Sequence, residues 1–101
     1  MELICINKNT FVFAKITPKS EYFKSTKSEL AGILEATRKE KGCIQFELHE
    51  SECGCYLYLY EEWLNKKSLE NHHTQPHTMA AAKKIESWLA QPTEVSLMKK
   101  L

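Results

Sequence analysis

The chain has 101 residues, 43% hydrophobic and 27% charged, and its 14 basic and 13 acidic residues leave a net charge of +1. This length makes one globular domain, residues 1–101, with no second core, and the near-neutral balance without a basic stripe excludes an electrostatic nucleic-acid binder. Residues 3–6 form too short an apolar run for a signal peptide or a membrane span, so no membrane partner and cytoplasmic residence are the expectations.

Residues 3–7 and 10–17 are two strand-like runs rich in β-branched and aromatic side chains, with Lys8 and Asn9 as a turn between them. Pro18 stops the second run. Ser20 then opens a helix whose apolar positions Phe23, Leu30, Ile33, Leu34 and Thr37 follow the 3.6-residue period up to Gly42, the expected C′ residue. Lys24, Lys27, Glu35, Lys39 and Glu40 fall mainly off that stripe, which reads as a solvated face.

Residues 43–50 alternate, with Ile44, Phe46 and Leu48 against Gln45, Glu47 and His49, and Gly54 supplies a positive φ for a hairpin turn. Residues 56–63 alternate again. Leu57, Leu59, Glu61 and Trp63 share one face of that strand and Tyr56, Tyr58, Tyr60 and Glu62 the other. A leucine face must pack on something, so Glu61 is carried to the rim of an apolar layer.

Asn65 is the expected N-cap of a short helix over 66–74, and Pro76 occupies the favoured first position of a second helix. That helix is expected to run to Ala90 with Ala81, Ile85, Trp88 and Leu89 on its apolar face, ended by Gln91 and Pro92. His72, His73 and His77 gather at the junction of the two helices. Val95 and Leu97 alternate in a last strand.

The order β, α, β, β, α, α, β predicts an α+β fold of the ferredoxin-like split βαβ type, an antiparallel sheet covered by helices on one face. The tyrosine row lies on the other face and predicts a homodimer with two sheets packed together. The four cysteines, Cys5, Cys43, Cys53 and Cys55, are read as reduced thiols. No metal is expected, because C-G-C lacks a second ligand pair and HHTQPH lacks a standard ligand spacing.

The run K-G-C-I-Q-F-E-L-H-E-S (residues 41–51), the Y-E-x-W of 60–63, the L-E-x-H of 69–72 and the T-x-P-H of 74–77 resemble the antibiotic biosynthesis monooxygenase superfamily, in its quinol monooxygenase-like branch. The resemblance covers nearly the whole chain. It implies a dimeric ferredoxin-like α+β barrel with a pocket between sheet and helices in each protomer, and a cofactor-independent monooxygenase acting on a small quinol-like or enolisable aromatic substrate. The haem-degrading branch would need its own asparagine, tryptophan and histidine; Ala14, His72 and Ala82 stand near those places, which disfavours it.

Oxygenation without a cofactor requires the substrate itself to give up the electrons, so a base and an apolar lid suffice. His72, His77 and Glu61 are the candidate bases. For the two histidines the competing reading is that they merely satisfy helix ends beside Pro76. Trp63 is either a platform for the substrate ring or core filler, Glu47 is a further candidate for substrate binding, and Tyr60 is read as interface. Two other functions stay open: a non-catalytic dimeric small-molecule-binding or stress-response module, and an isomerase of a small phosphorylated sugar.

Overall fold

The computed structural model describes residues 8–101, so the strand expected over 3–7 lies outside the described residues. Strands β1 (Thr10–Ile16), β2 (Cys43–Glu50), β3 (Leu57–Trp63) and β4 (Glu94–Met98) form one antiparallel sheet in the order β2-β3-β1-β4. Helices α1 (Phe23–Ala31), α2 (Leu34–Arg38), α3 (Lys66–His73) and α4 (Pro76–Glu86) complete the ferredoxin-like α+β arrangement. No helix among the described residues is long and apolar enough to cross a membrane.

Strand β3 behaves as its alternation dictates. Every odd residue of β3 is buried and every even one half-buried. Register places Val12 and Phe46 on either side of Glu61, and Ala14 and Leu48 on either side of Leu59. These side chains build the core with Leu30, Ile33, Leu69, Ala81 and Ile85 from the helical layer. On the opposite face Phe13 stacks on Tyr58 with ring centroids 5.5 Å apart and stays 39% exposed. Tyr56 lies in the hairpin just before β3, its ring 4.1 Å from Lys15 Nζ.

Five local expectations are corrected. The single helix from Ser20 is a 3-10 turn, Ser20–Tyr22, followed by α1 and α2, with the break at Gly32 and Ile33. Glycine is a poor helix former, and here the Ile33 N–H turns to Leu30 O, tightening the chain so that Ile33 points into the core. Helix α2 stops at Arg38, so Gly42 is not its C′ residue. Gly42 is nonetheless required: its φ is +88°, and a Cβ there would sit 2.1 Å from Ser68 Oγ, against the start of α3.

A register shift between Cys43 and Gln45 turns Ile44 outward, leaving it 50% exposed despite its place in the alternation. Helix α4 ends at Glu86, not Ala90. Trp88 and Leu89 follow it in irregular chain, where Trp88 stacks on Tyr22 and Leu89 pairs with Pro18. Glu40, expected on a solvated face, has a side chain only 9% exposed.

The junction that carries the histidines is well determined. Asn65 Oδ1 accepts from the Ser68 N–H at 2.8 Å and caps α3, a contact worth about 1 kcal/mol. Pro76 opens α4 three residues after α3 ends. The two helices therefore meet within a few residues of His72 and His77.

Candidate functional site

Between the covered face of the sheet and the helices lies a cavity of about 770 Å³ that opens to solvent on one side. Its walls are largely apolar, with Ala14 and Leu59 from the sheet, Ile33 from the break between α1 and α2, and Ala81 and Ile85 from α4. The buried polar residues in this lining are Glu61 and His72. A pocket of mainly hydrophobic walls with a few placed polar groups is the usual form of a small-molecule site.

Glu61 reaches the cavity because β3 is one of the two inner strands and also carries the core leucines. It is 5% exposed, between Val12 and Phe46. Oε1 accepts the Trp63 indole N–H at 2.9 Å. Burial pushes the carboxyl from 4.5 up to about 6; the Glu40 charge adds to the rise and the Trp63 hydrogen bond opposes it. The group thus titrates just below neutrality.

His72 sits where α3 crosses the aromatic end of the sheet, its ring centroid 4.8 Å from that of Trp63 and 5.3 Å from that of Phe46. Its Nδ1 lies 2.9 Å from Glu40 Oε2 and 3.3 Å from Thr78 Oγ1. The same Glu40 oxygen lies 2.6 Å from His77 Nε2. An ionised carboxylate can only accept, so His72 Nδ1 and His77 Nε2 both carry protons toward it. His72 Nε2 is then the lone-pair nitrogen, and it makes no hydrogen bond among the described residues.

Burial lowers the His72 pKa. The Glu40 hydrogen bond and charge pull it back up in part, while His73 and His77 push it down. His72 is therefore neutral at pH 7 and able to take a proton. This is the pattern of a base held in one tautomer by a carboxylate behind it.

The remaining candidates lie elsewhere. His77 stands behind Glu40, one step from the cavity and 25% exposed. Trp63 is fully buried and does not line the cavity; it packs against Phe46 and His72 and holds Glu61. Glu47 faces away, opposite Tyr60, and pairs with Arg38 at 3.1 Å. Glu40 was the member of the site that sequence reasoning missed. The available signal was its place in R-K-E-K-G-C, just before the strand and beyond the last helical turn.

Glu40, His72 and His77 are the residues whose chemistry could suit a metal, with ligand atoms within 4.8 Å of one another. Ligands at 2.0–2.1 Å around a tetrahedral ion stand about 3.3 Å apart. The 2.6 and 2.9 Å contacts are closer than that and are hydrogen-bond lengths. The trio is satisfied as a hydrogen-bonded unit.

Residues 10–84 match the family model described as antibiotic biosynthesis monooxygenase. The chain is 27% identical over 87 residues to Rv0793 of Mycobacterium tuberculosis, a protein with a provisional monooxygenase name, covering 86% of each chain. The solved structure of Rv0793 superposes with a TM-score of 0.88 over 92% of this chain and 95% of its own. PA3566 of Pseudomonas aeruginosa, 24% identical, has the same fold at a TM-score of 0.88, over 95% of this chain and 97% of its own. An uncharacterized Synechocystis protein, sll1783, is 31% identical over 68 residues, 66% of this chain and 46% of its own length.

Proposed function

The chain belongs to the antibiotic biosynthesis monooxygenase family, and from that premise we propose that it is a cofactor-independent monooxygenase for a small quinol-like or enolisable aromatic molecule. The observation that carries this reading is the apolar cavity with a Glu40-backed His72 and a buried Glu61 in or at its wall. His72 Nε2 takes the proton from the substrate hydroxyl or activated C–H. Glu61, held by Trp63, accepts a hydrogen bond from a second hydroxyl and orients the ring. The apolar walls keep water from the anion, which reacts with dioxygen.

For a quinol the balance closes without another reagent. One ring C–H becomes C–O, the quinol becomes a hydroxyquinone, and the second oxygen atom leaves as water. The substrate gives up four electrons and dioxygen takes them. With menadiol under labelled dioxygen, the reading requires one labelled oxygen in the quinone product and one O2 consumed per menadiol. Peroxide as the sole reduced product would count against it.

The cavity lining contains no lysine or arginine. A phosphorylated sugar would need such cationic partners for its phosphate, so the walls favour a largely uncharged ring over the isomerase reading. A non-catalytic binding module remains the outcome if no quinol raises oxygen uptake above its autoxidation.

The functional unit in this reading is a homodimer. Phe13, 39% exposed, and the part-exposed Tyr58 and Tyr60 leave aromatic surface on the open sheet face, and a second copy packed on it would bury that face. Sedimentation showing a stable monomer at micromolar concentration would overturn the dimer.

A further inference from the structure

A second chemically capable group lies in the hairpin between β2 and β3, where Cys53 and Cys55 flank Gly54. Both thiols are exposed. Ser51 organises the turn: its Oγ accepts the N–H of Cys55 at 3.1 Å and of Tyr56 at 3.0 Å. With both acceptor positions filled, its hydroxyl proton is left for Cys53 Sγ, 3.4 Å away. The Cys55 thiol folds back over the same turn, with Sγ 3.7 Å from Cys53 O. Both sulfurs are thus held within one short turn. Gly54 has φ +73°, and apart from its chain neighbours nothing lies within 4 Å of where a side chain would begin, so no residue from elsewhere in the fold resists a change in the turn.

We propose that Cys53 and Cys55 form a redox-active dithiol that closes to a disulfide on reaction with a hydroperoxide, independently of the cavity. Cys53 is the attacking sulfur, because Ser51 donates to it. The Cys53 thiolate attacks one peroxide oxygen and the O–O bond breaks, giving a sulfenic acid and, with hydrogen peroxide, a hydroxide that becomes water with the proton the thiol released. Cys55 sulfur then attacks Cys53 sulfur, the S–O bond breaks, and hydroxide leaves with the Cys55 proton as a second water. The pair loses two electrons and the peroxide gains them.

The direction of the thiol acidities agrees with these roles. Hydrogen bonds from Ser51 and Cys55 lower the Cys53 pKa, while Cys53 raises that of Cys55. Cys43 is an internal contrast: burial, helped by Glu40 and Glu61, pushes it up to about 11 and leaves it unreactive.

The test is hydrogen peroxide treatment of the intact protein at neutral pH, followed by tandem mass spectrometry of the hairpin peptide. The expected product is a Cys53–Cys55 disulfide, two hydrogens lighter and restored by dithiothreitol. In Cys55→Ser, Cys53 should be trapped as its sulfenic acid by dimedone. In Cys53→Ser, Cys55 should react about tenfold more slowly than Cys53 does in Cys55→Ser. Both thiols surviving free, oxidation past sulfenic acid without a disulfide, or equal rates in the two variants would overturn the proposal. Both positions are exposed, so the variants will fold.

Discussion

Glu40 Oε2 and His72 Nδ1 meet at 2.9 Å although 32 positions separate them in the chain. The contact joins the turn after α2 to the end of α3 and fixes which nitrogen of His72 is free. Glu40→Gln keeps the shape but gives the residue N–H donors that can face the histidines. It should lower kcat on a quinol by about tenfold or more, with less effect than loss of His72 itself. Glu40→Ala leaves two imidazole N–H groups without their acceptor and should cost about 1–3 kcal/mol of stability. Wild-type rate and melting temperature in both variants would refute this role.

Glu61 makes stability depend on pH. Its pKa is raised in the fold to about 6 from 4.5, so between these values the native state binds more protons than the unfolded chain, and stability falls as pH rises. The full contribution is present below pH 4.5 and lost above pH 6, amounting to about 2 kcal/mol for a shift of this size. His72 runs the other way: its lowered pKa means stability falls as pH drops through 6.5. Glu61→Gln should gain stability relative to wild type at pH 7.5 and lose that advantage at pH 4.5. A difference between the two proteins that does not vary with pH would contradict the burial of an ionisable carboxyl here.

Trp63 is expected to act through Glu61 and not by touching substrate. Trp63→Phe keeps most of the ring packing but removes the indole N–H that lowers the Glu61 pKa. Carboxyl titration by NMR should then move above 6, and stability should fall by about 1–3 kcal/mol. An unmoved titration would show that the hydrogen bond does not set the acidity.

Exhaustive chelation should leave the melting curve and any quinol-dependent oxygen uptake unchanged, because Glu40, His72 and His77 satisfy one another directly. Stoichiometric zinc or iron in the purified protein, with structure or turnover lost on its removal, would contradict the hydrogen-bonded reading of the trio.

Strand β3 was legible because a covered sheet face imposes a period of 2 on its sequence, and Leu57, Leu59, Glu61 and Trp63 obey it without exception, whereas β4 is exposed at every position and Val95 and Leu97 do not alternate with buried neighbours. Asn65 and Pro76 marked the two helix starts through capping chemistry that is local to them. Glu40 was not legible. Its role depends on a chain reversal at Gly42 and on partners 32 and 37 positions away, and extending the helical period past Arg38 assigned it to solvent. The 3.6 period likewise concealed the break at Gly32, since Ile33 stays in register with the core on both readings. The outward turn of Ile44 follows from a register shift against β3, which alternation within β2 cannot reveal.

The most direct test of the central claim is the initial rate of oxygen uptake with menadiol, above the autoxidation blank, for wild-type protein and for His72→Ala, with folding of the variant checked by circular dichroism. The account predicts enzyme-dependent uptake by the wild type and a loss of about 10²- to 10⁴-fold in the variant. Uptake at the wild-type rate in a folded His72→Ala protein would contradict the assignment of the base. No uptake above the blank by the wild type across a panel of quinols would contradict the oxygenase itself.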